Sequence, residues 1–111
     1  MYFSLSRNRD ATKRFLDCLS RASVESLSSV DILITPDFVA LTGTIEQLKS
    51  SNVPVWPGAQ DCHWEDDGAF TGEVSPAVLS ETGVKIVGVG HAERRRPSAT
   101  MTRRLPRRRP L

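Results

Sequence analysis

No stretch of eighteen or more apolar residues occurs in the 111 positions of this chain, so no segment reads as a membrane-crossing helix, which needs about twenty. The first ten residues hold no apolar core of signal-peptide length, and Arg7 and Arg9 follow the apolar residues instead of preceding them. A secretory leader is therefore not expected, and the chain reads as cytoplasmic. Cysteine is scarce: Cys18 and Cys62 stand alone, without the CxxC spacing of a zinc ribbon or a redox dithiol, and both are expected to be reduced thiols. A complete phosphate loop is missing too. Gly88-Val89-Gly90 begins like a dinucleotide-binding turn, but Glu93 occupies the third glycine position, where a carboxylate would oppose a pyrophosphate.

What is present is enough for one small domain. Its formal charge of +2 conceals an asymmetry, because five arginines and no acidic residue fall in 97–111. Without that tail, ten basic side chains face thirteen acidic ones, about −3 by count. The tail, PSATMTRRLPRRRPL, has prolines at 97, 106 and 110 and no apolar periodicity, which predicts a domain over 1–96 and a disordered basic tail over 97–111. It lacks aromatic interleaving and adjoins no basic domain, so an unstructured terminus is favoured over a nucleic-acid patch.

Along the chain, residues 1–9 read as a loop. Asp10 is a candidate N-cap for a helix over about 11–22, whose buried face would hold Phe15, Leu19 and Ala22, widened by Leu16 and Cys18. Ser23 to Ser29 is a serine-rich link. Val30 to Thr35 is nearly continuous in apolar and β-branched residues and predicts a strand covered on both faces. Phe38, Leu41, Ile45 and Leu48 recur at helical spacing, with Gly43 costing about 1 kcal/mol relative to alanine. A short strand around Val53 and Val55 ends near Ala59, and a long polar loop runs from Gln60 to Gly72. Ser75-Pro76 opens a short helix that Gly83 closes, and Val84 to Val89 is the third strand. Strands beginning near 30, 53 and 84, separated by helices, predict a parallel α/β sheet with two unpaired outer edges.

The residues able to carry chemistry are few. Asp61, Cys62, His63, Glu65, Asp66 and Asp67 include every common metal-ligand type but no recognised spacing. Cys62-His63 is a poor nucleophile dyad, since loop neighbours rarely face each other and no third group orients them. His91 has more weight. It comes directly after a strand, at the carboxyl edge of a parallel sheet, where such sheets bind ligands. Glu93 is either an orienting carboxylate or an ordinary first-turn acid, and one of Arg94 to Arg96 could pair with Glu73.

Taken together, Gly58-Ala59-Gln60, Gly68-Ala69-Phe70-Thr71-Gly72-Glu73-Val74-Ser75 and Gly90-His91-Ala92-Glu93-Arg94-Arg95 closely resemble the triosephosphate isomerase family in order and spacing. The resemblance implies a partial (β/α)₈ barrel: the first helix, then strands two to four with the helices between. It makes His91 the electrophilic histidine, whose neutral imidazole polarises the substrate carbonyl while a glutamate base moves the proton; that division of labour is established for the family and does not come from the spacing. Glu93 matches the acidic residue near the catalytic lysine. Gln60 to Gly72 looks like the dimer loop, with Thr71 at the tip that enters the neighbouring subunit; Gln60, Thr71, Gly72, Glu73 and Arg94 then belong to a homodimer interface. No cofactor or metal is implied, and the partner is a sugar phosphate.

Departures from the family pattern set further expectations. Met1-Tyr2-Phe3 resembles the segment just after strand one, so that strand and its lysine would lie before this chain. The motifs end at Arg96, so strands five to eight, the glutamate base and the phosphate-binding loops would be absent, as in a truncated or frameshifted gene product. Such a fragment is expected to be inactive alone, because deprotonation beside a carbonyl needs base, electrophile and dry pocket together. Asp61 replaces a common asparagine and Ala92 a common serine, replacements also associated with family members acting on tetrulose phosphates. An interaction fragment pairing with a full-length relative is the alternative role.

Overall fold

The computed structural model describes residues 3–95. Helices and strands alternate as α1 (Leu5–Leu19), α2 (Val24–Ser28), β1 (Ile32–Ile34), α3 (Phe38–Lys49), β2 (Val55–Ala59), α4 (Pro76–Thr82), β3 (Ile86–Val87) and α5 (Ala92–Arg95). The strands form one parallel sheet in the order β1-β2-β3, as the βα spacing predicts. The expected disordered tail, 97–111, lies outside the described residues.

Register divides the side chains between two faces. Ile32 lies opposite Val55 and Ala59 opposite Val87. These residues and Ile34 pack toward the helices. Leu41, Ile45, Ala59, Cys62, Leu79 and Val84 make one core cluster, and Leu16, Leu48 and Val55 make a second, which Ile32, Ile34 and Val53 extend. Burying a leucine or isoleucine side chain contributes about 1.5–3 kcal/mol, so these clusters hold α1, α3 and α4 on that face.

The alternate residues point the other way, as a pleat requires. Leu33 lies opposite Trp56, and Gly58 opposite Ile86. Leu33 is 45% exposed and Trp56 47%, so the expectation of a strand covered on both faces is corrected. Among the described residues only the helical layer covers the sheet. Gly58 is required here: a Cβ would come within 2.6 Å of Thr35 Cγ2 and 2.9 Å of Ile86 Cγ2.

Capping explains two helix starts that the sequence marks clearly. Asp37 Oδ1 accepts from the Val39 and Ala40 amides at 2.9 and 3.1 Å, and Ser75 Oγ accepts from the Val78 amide at 3.3 Å before Pro76. Gly83 closes α4 in the left-handed region at φ 100°. Both patterns satisfy backbone groups that a helix end leaves free.

The first helix departs most from expectation. It begins at Leu5, not near Ala11, because Ser4 Oγ is the cap, accepting from the Arg7 amide at 3.2 Å. Its buried face is Thr12 and Leu16, while Phe15, Cys18 and Ala22 are exposed. Thr12 and Thr44 are 2% and 1% exposed, and Asn8 Nδ2 donates to Thr44 Oγ1 at 3.0 Å. The α1–α3 contact therefore adds small and polar side chains that allow close approach to Leu16 and the partly buried Leu19, so hydrophobic spacing finds the two leucines but misplaces Phe15, Cys18 and Ala22 and misses Thr12. The serine-rich link also contains a turn of helix, α2, capped by Ser23.

Candidate active site

The carboxyl ends of β2 and β3 meet at one edge, tied by a Gly88 amide to Ala59 carbonyl bond of 2.9 Å. Gln60 Nε2 donates to the Thr35 carbonyl at 3.0 Å, fastening the exit of β2 to that of β1. From β3 the chain passes through Gly90, whose φ of 67° lies where a side chain is strained, and presents His91. Arg95 Nε returns to the Gly90 carbonyl at 2.5 Å.

His91 caps the helix beyond it. Its carbonyl accepts from the Arg94 and Arg95 amides at 2.9 and 3.2 Å, and its Nδ1 accepts from the Glu93 amide at 3.2 Å. A ring nitrogen that accepts carries no proton, so in the neutral ring the hydrogen is on Nε2. The Glu93 carboxylate also lies 3.8 Å from Nδ1, a contact that would be an ion pair only with Nδ1 protonated. The backbone bond is the shorter, and a backbone N–H cannot reverse its role, so the acceptor geometry decides between them. An exposed imidazole with Nε2–H available can donate to a carbonyl oxygen and stabilise charge developing there.

The structure brings His91 and Glu93 together, but within the chain it does not bring Glu73 to Arg94. Arg94 Nε meets Asp61 Oδ2 at 2.7 Å, and Glu73 Oε2 lies 3.5 Å from His63 Nδ1. The Arg94 guanidinium takes the carboxylate nearest to it: Asp61 lies two residues past the end of β2, whereas Glu73 sits across the loop.

That loop, 60–74, is folded around an aromatic cluster. His63 is 4% exposed, and its ring centroid lies 4.1 Å from those of both Trp64 and Phe70. The His63 amide donates to the Val74 carbonyl at 2.8 Å, closing the base, and Ser75 Oγ donates to the Asp66 carbonyl at 2.5 Å. Gln60, Thr71, Gly72 and Glu73 are exposed. Sequence reasoning treats His63 as a failed metal ligand. Two aromatics interrupting a polar loop are the signal that it anchors the loop instead. Glu65, Asp66 and Asp67 of the acidic run are exposed.

Consecutive parallel strands with helices on one face, and a histidine delivered at their carboxyl edge, define a segment of a parallel β/α barrel. The chain belongs to the triosephosphate isomerase family, whose model matches residues 1–105. That match runs beyond Arg96, where the recognisable motifs end. An L-erythrulose-1-phosphate isomerase of Pectobacterium atrosepticum is 41% identical over 96 residues, 86% of this chain and 36% of that protein. A triosephosphate isomerase of Carboxydothermus hydrogenoformans is 51% identical over 73 residues, 66% of this chain and 28% of its own length. One from Acaryochloris marina is 48% identical over 79 residues, 68% of this chain and 32% of that protein. The chain thus spans about a third, or less, of the curated relatives it matches.

Proposed function

We propose that these residues form the electrophile corner of a sugar-phosphate isomerase that interconverts an aldose phosphate and a ketose phosphate, in the triose case glyceraldehyde 3-phosphate and dihydroxyacetone phosphate of glycolysis and gluconeogenesis. One observation carries the reading: His91 Nδ1 accepts from the Glu93 amide at 3.2 Å, leaving Nε2–H as a donor at the sheet's carboxyl edge. His91 polarises the substrate carbonyl, and Glu93 has a supporting role at the same turn. A cytoplasmic setting goes with this reading; among the described residues no helix is long and apolar enough to cross a membrane.

These residues supply one part of the machinery, the carbonyl-polarising electrophile. The exposed loop residues Gln60, Thr71, Gly72 and Glu73, with Arg94, serve a homodimer-type interface. Because Arg94 is already paired with Asp61 within the chain, a Glu73–Arg94 contact between subunits requires Arg94 to exchange or share that partner. Pairing with a full-length relative through this loop is the non-catalytic form of the same proposal.

A second substrate has a specific observation behind it. Of these three relatives, the one covering the largest share of this chain acts, by its name, on L-erythrulose 1-phosphate. The test is to graft residues 3–95 in place of the matching segment of a full-length family enzyme and assay triose and tetrulose phosphates side by side. Turnover of either supports an isomerase, and their ratio assigns the substrate. A folded graft that turns over neither contradicts the proposal.

A further inference from the structure

Helix α5, which carries the catalytic turn, has no buried residue. Its backbone bonds to His91 and the Arg95 bond to Gly90 are local, so they shape the turn without fixing it to the sheet. Among the described residues Arg94 crosses to the loop after β2, reaching Asp61 Oδ2 at 2.7 Å.

Asp61 is well placed to be the fixed end. It is 8% exposed, directly follows Gln60, whose side chain is tied to Thr35, and precedes Cys62, which belongs to the core cluster. A carboxylate so far removed from water needs a partner, and a guanidinium at this distance makes a short, charge-assisted bond that limits rotation of both groups. The Arg94 side chain is 55% exposed and the Asp61 side chain 11%, so the better-buried, better-anchored end of the pair is the segment after β2.

We infer that Asp61 is a positioning residue for the isomerisation: through Arg94 it holds the first turn of α5 against the end of β2, and so keeps the Glu93 amide aimed at His91 Nδ1. The role rests on the proposed isomerase reading, in which the Nε2–H of His91 must face the substrate. Asp61 touches no reacting atom. Its effect passes from carboxylate to guanidinium, to the backbone of the turn, and then to the tautomer of the imidazole.

The test uses the uniformly ¹⁵N-labelled full chain and needs no substrate. In the parent protein His91 is expected to show a single Nε2–H tautomer, with Glu93 and Arg94 amide order parameters near the rigid value of about 0.85. In Asp61→Ala and, separately, Arg94→Ala, the His91 ring is expected to become a mixture of tautomers, and those order parameters to fall below about 0.6. Arg94→Ala alters a largely exposed side chain, so it preserves the test if Asp61→Ala fails to fold. Retention of the single tautomer in either folded variant overturns the inference. An inactive graft, by contrast, removes the isomerase reading while leaving this coupling measurable, so the two failures are distinguishable.

Discussion

Leu33 and Trp56 stand opposite one another in register on β1 and β2, side by side on the sheet face that no helix among the described residues covers. A barrel of this family would turn that face inward. Here both residues are roughly half exposed, so replacing one forfeits little packing. Trp56→Ser is expected to change folding stability by no more than ~0.5 kcal/mol, as for a surface site, while reducing binding of an apolar dye such as ANS. A loss of about 3 kcal/mol or more, the size seen for a core tryptophan, would show in a urea melt that another layer covers the face.

The helical side of the sheet should behave in the opposite way. Ile45 belongs to the buried cluster with Leu41, Leu79 and Val84, and Ile45→Ala is expected to cost about 2–5 kcal/mol. Val39→Ala, on the exposed side of the same helix, should cost less than ~1 kcal/mol. Equal effects in chemical denaturation would mean that α3 does not seat as described.

Thr12 and Thr44 test the helix contact that spacing alone misplaces. Thr12→Leu puts extra methyl groups into a site that is 2% exposed and is expected to destabilise by about 1–3 kcal/mol through overpacking. Phe15→Ala, nominally a large core truncation, is expected to cost under ~1 kcal/mol because Phe15 is exposed. If thermal or urea unfolding ranks the two variants in reverse, the face assigned to α1 is wrong.

These cases show which parts of the fold were legible in the sequence. Ser75-Pro76 and Gly83 act through local backbone chemistry, and α4 begins and ends where those residues indicate. Parallel pairing follows from the alternation of strands with helices. On α1 the spacing finds Leu16 and Leu19, while Thr12 is hidden because small residues bury through close helix approach and not through hydrophobicity. Of the candidate site, His91 and Glu93 lie together as their spacing suggests. Arg94 meets Asp61 because proximity after β2 decides the pair, and no local pattern reports a distance across the sheet edge. His63 was misjudged for a similar reason, since its burial depends on Phe70 folding back from seven positions away.

The loop depends on that burial. Among the described residues neither His63 ring nitrogen has a hydrogen-bond partner, and the ring packs on Trp64 and Phe70 close to Glu73. Aromatic pairs contribute about 0.5–1.5 kcal/mol beyond area burial. His63→Ala should therefore loosen the loop locally, giving faster proteolytic nicking between residues 64 and 72 with amide protection of Leu41 and Ile45 unchanged. A nicking rate equal to the parent's would show that the ring does not hold the loop.

The central claim is that His91 polarises the substrate carbonyl through its Nε2–H. Its most direct test is kcat for the graft of residues 3–95 in a full-length family enzyme, with and without His91→Gln. A fall of about 10²- to 10⁴-fold in kcat is expected, the range for a lost general acid or oxyanion donor, with KM little changed. An active graft whose kcat is the same with glutamine as with histidine contradicts it.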